Sequence, residues 1–234
     1  MKIGVFFSDI TIGKHNIKDS RLDQVDKLAP SKKKTYVQVE LIGPDEAKEA
    51  DEILVLSDSA SDLILKDLEF VETRLSRTEQ DQEKTLLNKL KIILEKEEFI
   101  FNAGLSPQEK QAISGYTLFT DKPIVVAERQ ELENPDNLLA RALKDSGFIS
   151  FFTASTGGKE ARAWLIKQGT TAWEAAGVIH SDIQKGFIRA EITSFNDFIQ
   201  AGGEVGAKQA GKVRLEQKDY LMQDADLVNF RFNK

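Results

Sequence analysis

The chain has no cysteine among its 234 residues. That absence removes disulfides and thiolate metal sites and suits a reducing compartment. No apolar run approaches the ~18 residues of a membrane-crossing helix. The opening strand Met1-Lys-Ile-Gly-Val-Phe-Phe-Ser-Asp9 is too short for the apolar core of a secretion signal. A cytoplasmic protein with no membrane partner is therefore expected. A basic excess is missing as well, because the net charge is −6. Residues 159–234 hold eleven Lys/Arg against ten Asp/Glu, and the remainder holds 21 against 28. Nucleic-acid grips normally show a basic domain. DNA is not an expected partner, and an RNA contact would need a local patch in the C-terminal part. There is no internal repeat and no low-complexity tract.

What remains is an ordinary globular composition, 41% apolar and 30% charged. Lys2–Phe7 reads as a buried strand, and Leu22, Val25 and Leu28 mark a short helix closed by Pro30. Lys32-Lys-Lys34 is a basic loop, read as solvated. Tyr36–Ile42 alternates as a half-buried strand, and Ile53–Leu56 is a continuous apolar strand of an interior sheet. Leu65, Leu68, Val71 and Leu75, then Leu86, Leu90 and Ile93, carry helical spacing. They predict an antiparallel hairpin over about 60–77 and 80–97, turning near Thr78. Ser106-Pro-Gln-Glu109 is a capped helix start, Pro123–Ala127 a strand, and Asp136–Ser146 a helix stopped by Gly147. Phe148–Phe152 reads as the last strand before a linker at 153–158. Alternating strands and helices predict a mostly parallel sheet with a helical insertion over residues 1–158. From Ala163–Ile166 to Asp224–Phe232, the order of strand, helix, strands and closing strand predicts a compact β-grasp module over 159–234.

The one phosphate-loop fragment is Gly13-Lys14. A working loop needs G-x-x-x-x-G-K-[ST], in which glycine backbone wraps phosphate, Lys neutralises it and the hydroxyl holds Mg²⁺. Here the first glycine position falls near Phe7 or Ser8, and His15 stands at the hydroxyl position. His15 is a poor Mg²⁺ ligand.

Several stretches resemble the Obg-like ATPase (YchF) family, in which a P-loop domain precedes a C-terminal TGS domain. Arg21-Leu-Asp-Gln24 with Leu28-Ala-Pro30, Asp67–Leu75, Leu105–Ile113 with Lys122-Pro123, and Phe151-Phe-Thr with Glu160-Ala-Arg-Ala-Trp164 all look like family segments. The likeness is strongest over Phe151–Phe232, through Thr170–Glu191 and Asp224–Phe232. It implies a reduced P-loop-GTPase-like domain with a helical-hairpin insertion, then a TGS, ubiquitin-like β-grasp domain. ATP or GTP with Mg²⁺ would be the family's cofactor, and RNA, the ribosome or a regulatory protein its partner.

Departures from the family fall on the chemistry. The phosphate loop is broken, and too few residues separate His15 from Arg21 for a first helix and switch. Glu40-Leu-Ile-Gly43 sits at the second switch with Glu40 in place of the metal-directed Asp. In Ala127-Glu-Arg-Gln-Glu131, Glu131 matches the base-reading motif, but Glu128 replaces its Asn, and a carboxylate cannot donate to the base. Phosphoryl transfer depends on positioning and charge stabilisation, so catalysis is expected to be lost, with no catalytic residue and no metal site. Gly13, Lys14 and Glu131 are kept as a relic nucleotide site. His180 reads as a structural hydrogen-bonding residue, because no Cys or second His lies near it. Trp164 reads as core and Trp173 as exposed. Trp173, Lys185, Arg189, Lys208, Lys212 and Arg214 are the candidate RNA or partner contacts. Three functions follow: a non-catalytic binding or adaptor protein working through the TGS domain, a weak ATP/GTP binder, and a protein-interaction subunit using the hairpin.

Overall fold

The computed structural model describes Met1–Asn233. Its elements begin with β1 (Lys2–Val5), β2 (Gly13–Ile17), α1 (Ser20–Leu28), β3 (Lys34–Thr35), β4 (Val37–Ile42) and β5 (Glu52–Leu56). Then come α2 (Ala60–Arg77), α3 (Asp81–Glu95), α4 (Pro107–Ile113), β6 (Ile124–Ala127), α5 (Pro135–Asp145) and β7 (Phe148–Thr153). The C-terminal part contains β8 (Ala161–Lys167), α6 (Ala172–Ile179), α7 (Ser181–Lys185), β9 (Phe187–Thr193), α8 (Phe195–Gln200), α9 (Glu204–Gln209), β10 (Arg214–Glu216) and β11 (Leu227–Phe232). The chain divides into two compact units, one of residues 1–15 and 39–142, the other of residues 16–38 and 143–234.

The first unit is built on a sheet of order β2-β4-β1-β5-β6. β1 runs parallel to β4 and β5, and β5 parallel to β6. β5 is buried throughout; the apolar run from Ile53 to Leu56 requires it, and Glu52 at its start is buried as well. Gly4 on β1 is needed for close packing: a Cβ there would stand 3.0 Å from Ile53 Cδ1 and 3.2 Å from the Cβ atoms of Ala47 and Ala50. The hairpin is present as α2 and α3, joined through residues 78–80, within two residues of the expected ends. It does not project bare. Val71, Leu87, Leu90 and Leu94 share one core with Ile100, Leu105, Ile113 and Leu118, so the segment returning from α3 covers its apolar face. Ser106 and Glu109 form the expected capping box on α4.

The second unit carries a mixed sheet of order β10-β9-β11-β7-β8-β3. β7 pairs antiparallel with β8 and parallel with β11, and β11 pairs antiparallel with β9. α6 lays the small residues Ala172, Ala175 and Ala176 on this sheet, in a core with Phe151, Ile166, Ile192, Val228 and Phe230. The domain limits expected from sequence shift accordingly. Phe148–Thr153 does not end the first unit, because it lies between β11 and β8 in the middle of the second sheet. Residues 16–38 join the second unit too: β3 pairs with β8, and Arg21 on α1 reaches Asp224 and lies over the Phe152 ring.

Candidate functional site

Gly13 and Lys14 are not in a turn leading to a helix. They open β2, an edge strand of the first sheet, with Gly13 at φ 122°. A phosphate loop aims its backbone N–H groups at the ligand from a helix N-terminus, and no helix starts before Ser20. Glu131 follows β6 at the opposite edge. Four strand spacings of ~4.8 Å separate β2 from β6, roughly 19 Å. The structure therefore does not bring the three relic residues together. Glu131 is also engaged: its carboxylate accepts the Glu128 backbone N–H at 2.9 Å and two N–H bonds from Arg141 at 2.8 and 3.0 Å. These contacts hold its pKa below the usual carboxylate range. Glu128 accepts the Ser57 hydroxyl at 2.8 Å, and Arg129 pairs with Asp58 at 2.6 Å, which ties the loops after β5 and β6 together. Placed like this, the retained residues do not fit a nucleoside triphosphate. Among the described residues no group of three or more His, Cys, Asp or Glu is placed to hold a metal ion.

The candidate contacts of the second unit sit on separate elements. Trp173 is exposed on α6, Lys185 ends α7, and Arg189 lies on β9 opposite Arg231. Three of the cations have acidic partners inside the unit: Lys208 with Glu204 at 2.6 Å, Lys212 with Asp197 at 3.0 Å and Arg214 with Glu216 at 3.1 Å. His180 caps α7, its Nδ1 accepting the Asp182 N–H at 3.1 Å.

Sequence reasoning missed two arrangements. In the first unit, Asp67 on α2 is buried and accepts the N–H groups of Phe119 and Thr120 at 2.9 and 2.7 Å. Asp121, next in the chain, has its Oδ1 buried without a hydrogen-bond partner. Burial pushes the Asp121 carboxyl up to about 6; the Lys122 ammonium opposes the shift and Asp67 adds to it. A cleft of about 520 Å³ opens beside them, lined by Lys48, Glu49, Tyr116 and Lys122 among others. Two acids 54 residues apart, one of them in a helix stripe, leave no local signature. In the second unit, Arg162 lies over the Trp164 ring at 4.0 Å. That pair was legible, because alternate residues of a strand face the same side.

The family model YchF-GTPase_C, "Protein of unknown function (DUF933)", matches residues 148–233. The "Ribosome-binding ATPase YchF" of Haemophilus influenzae is 33% identical over 235 residues, covering 74% of this chain and 64% of that protein. The chain is a relative of the YchF (Obg-like ATPase) family. The protein of the same name from Escherichia coli O157:H7 is 58% identical over 104 residues, 44% of this chain and 28% of that protein. "Obg-like ATPase 1" of Danio rerio is 49% identical over 108 residues, 44% and 26% of the two chains. This chain thus spans less than two thirds of the length of these curated YchF relatives. The solved Schizosaccharomyces pombe YchF GTPase superposes with a TM-score of 0.74 at 18% identity, covering 99% of this chain and 97% of that one, a likeness of fold. Among the described residues no helix is long and apolar enough to cross a membrane.

Proposed function

We propose that this chain is a cytoplasmic binding or adaptor protein that engages the ribosome or its RNA through the C-terminal TGS domain, without phosphoryl transfer. The observation that carries the reading is the contrast between its two parts. The family model covers the C-terminal unit almost to the end of the chain, whereas Gly13-Lys14 and Glu131 lie at opposite edges of the first sheet, Glu131 bonded to Arg141. The ribosome-binding names of the relatives supply the partner class. Among the described residues, Arg189 and Lys185 are the candidate cations that pair with no acid, while Lys208, Lys212 and Arg214 would have to exchange their acidic partners for phosphate.

Co-sedimentation with ribosomes at increasing salt tests the contact. Association that weakens steeply with salt is expected, as counterion release requires, and Arg189→Glu with Lys185→Glu should reduce it. No association at low salt would overturn the reading. Titration with a fluorescent ATP or GTP analogue and Mg²⁺ tests the loss of chemistry, and saturable micromolar binding would restore the nucleotide-binding alternative. A second reading, a protein partner on the hairpin, has one observation in its favour: Leu65 on α2 and Ile92 on α3 are more than half exposed. Leu65→Lys with Ile92→Lys should then abolish capture of that partner while leaving ribosome association intact.

A further inference from the structure

We propose that a cleft in the second unit, between Asn16–Gln38 and β8, holds one unpaired nucleobase stacked on Arg162. The proposal rests on the reading that RNA is a partner and names a subsite for it. Arg162 and Trp164 project from the same face of β8. The indole is fixed: its Nε1–H donates to Thr153 Oγ1 at 2.9 Å, and Phe151 stacks against it with ring centroids 6.4 Å apart and planes 15° from parallel. Arg162 lies over the same ring at 4.0 Å. The Arg162 side chain is 40% exposed, and its Nε–H is buried with no hydrogen-bond partner. Glu160 approaches it only to 4.0 Å. A guanidinium pinned on an indole and still part-exposed offers a flat cationic surface, which the π-face of an unstacked base matches; the buried Nε–H takes no part in that contact.

The rest of the cleft has matching chemistry. Its volume is about 350 Å³, at the lower end of the ~300–1,000 Å³ of small-molecule sites. Beside β8 it is lined by Asn16 and residues 35–38, Thr35 being the strand neighbour of Arg162. Gln38 Nε2 donates to Asn16 Oδ1 at 3.2 Å. That single bond leaves each amide further donors and acceptors for a base edge. The nearby acids are already engaged: Asp23 accepts from Lys34 and Tyr36, and Glu160 from Thr35, with Lys33 at 3.3 Å. Lys32 and Lys33 are exposed on the chain that leads into Thr35. Ammonium groups there can follow a phosphate backbone while the base occupies the cleft. The basic loop taken from sequence as solvated linker thus acquires a role.

The base can come from a free nucleotide or from an RNA strand, and one experiment separates these sources. In the full chain, tryptophan emission is followed on titration with AMP, UMP and single-stranded A or U homopolymers, and the component that Trp164→Phe removes is the Trp164 signal. Saturable quenching by the homopolymers alone assigns the site to RNA, and equal quenching by the mononucleotides assigns it to free nucleotide. Either outcome supports the base site. Arg162→Ala should weaken binding roughly 5- to 150-fold, the range for losing a stacking partner. Gln38→Ala, at an exposed position, gives a second measurement if Arg162→Ala folds poorly. No quenching by either ligand, or quenching unchanged in both variants, overturns the proposal. Ribosome co-sedimentation that persists while Trp164 stays silent rejects this subsite alone. Quenching without co-sedimentation rejects the ribosome and leaves the subsite standing.

Discussion

Arg141 holds Glu131 through two N–H bonds, Nε to Oε1 at 2.8 Å and Nη2 to Oε2 at 3.0 Å, and its Nη2 also reaches the Val126 carbonyl at 3.1 Å. The carboxylate that matches the family's base-reading position therefore secures the turn after β6. Glu128→Asn, which completes the motif on paper, is expected to leave a fluorescent nucleotide titration flat, because Gly13 and Lys14 stay four strands away. Arg141→Met should lower stability by about 1 kcal/mol and leave the titration equally flat. Saturable binding in either variant would reject this account of the site.

Asp121 makes stability depend on pH in the less common direction. Its folded pKa, about 6, lies above the ordinary 3.8, through burial first and the Asp67 charge second, against Lys122. A carboxyl raised on folding contributes stability that is complete below pH ~4 and is lost as pH climbs through ~6. Asp121→Asn does not titrate and escapes that loss. The variant should exceed the parent by about 1–2 kcal/mol at pH 7.5, allowing for solvent screening, and match it near pH 4. Urea midpoints at the two pH values measure this, and an equal difference at both would reject the assignment.

Glu83 behaves in the opposite sense. The Thr78 hydroxyl, the Tyr116 hydroxyl at 2.6 Å and Arg74 at 2.7 Å converge on its carboxylate and lower its pKa to about 2. Stability from these contacts is present above the ordinary 4.5 and is lost as pH falls toward 2. Glu83→Gln should reduce the melting temperature at pH 7, and the deficit should shrink progressively below pH ~4.5. Amide exchange across residues 78–84 should quicken in the variant at neutral pH. A deficit that does not change with pH would show the contacts to be only steric.

Local signals carried much of the fold. Of the expected stripes, Leu68, Val71, Leu75, Leu86, Leu90 and Ile93 join the hairpin core, whereas Leu65 is more than half exposed and Ile64 takes the inward position; Ser106 with Glu109 fixed the start of α4. Two features resisted because they are decided at a distance. Gly13–Ile17 has no alternating apolar pattern, with Ile17 its one buried residue, so its neighbours in the sheet rather than its own propensity make it a strand. Phe148–Phe152 could have closed either sheet by composition, and its parallel register with Leu227 has no trace near either residue. Of the candidate site, the departure of Gly13-Lys14-His15 from the phosphate-loop pattern has a local signal in the residues themselves. The cleft around Arg162 has none, since Asn16–Gln38 reaches β8 only through folding.

Arg21 and Asp224 show how that segment is held, across 203 residues of chain. Arg21 Nη1 donates to Asp224 Oδ2 at 2.6 Å, Nη2 donates to Asp19 at 2.8 Å, and Asp224 Oδ1 also accepts the Ser150 N–H at 3.1 Å. Asp19 in turn caps α1 by accepting the Arg21 N–H at 2.9 Å. One guanidinium thus joins the start of α1 to the β7 backbone, and the acids on either side raise its pKa against the cost of its burial. Arg21→Met keeps much of the side-chain bulk over Phe152 but removes every donor. It should cost about 1–2 kcal/mol and loosen residues 16–38 before the rest of the unit. Trypsin, which cleaves after lysine, then has earlier access to Lys32, Lys33 and Lys34. A faster cut there in Arg21→Met, matched by Asp224→Asn, is the expected result; unchanged cleavage with an unchanged melting temperature would mean that β3 pairing with β8 holds the segment alone.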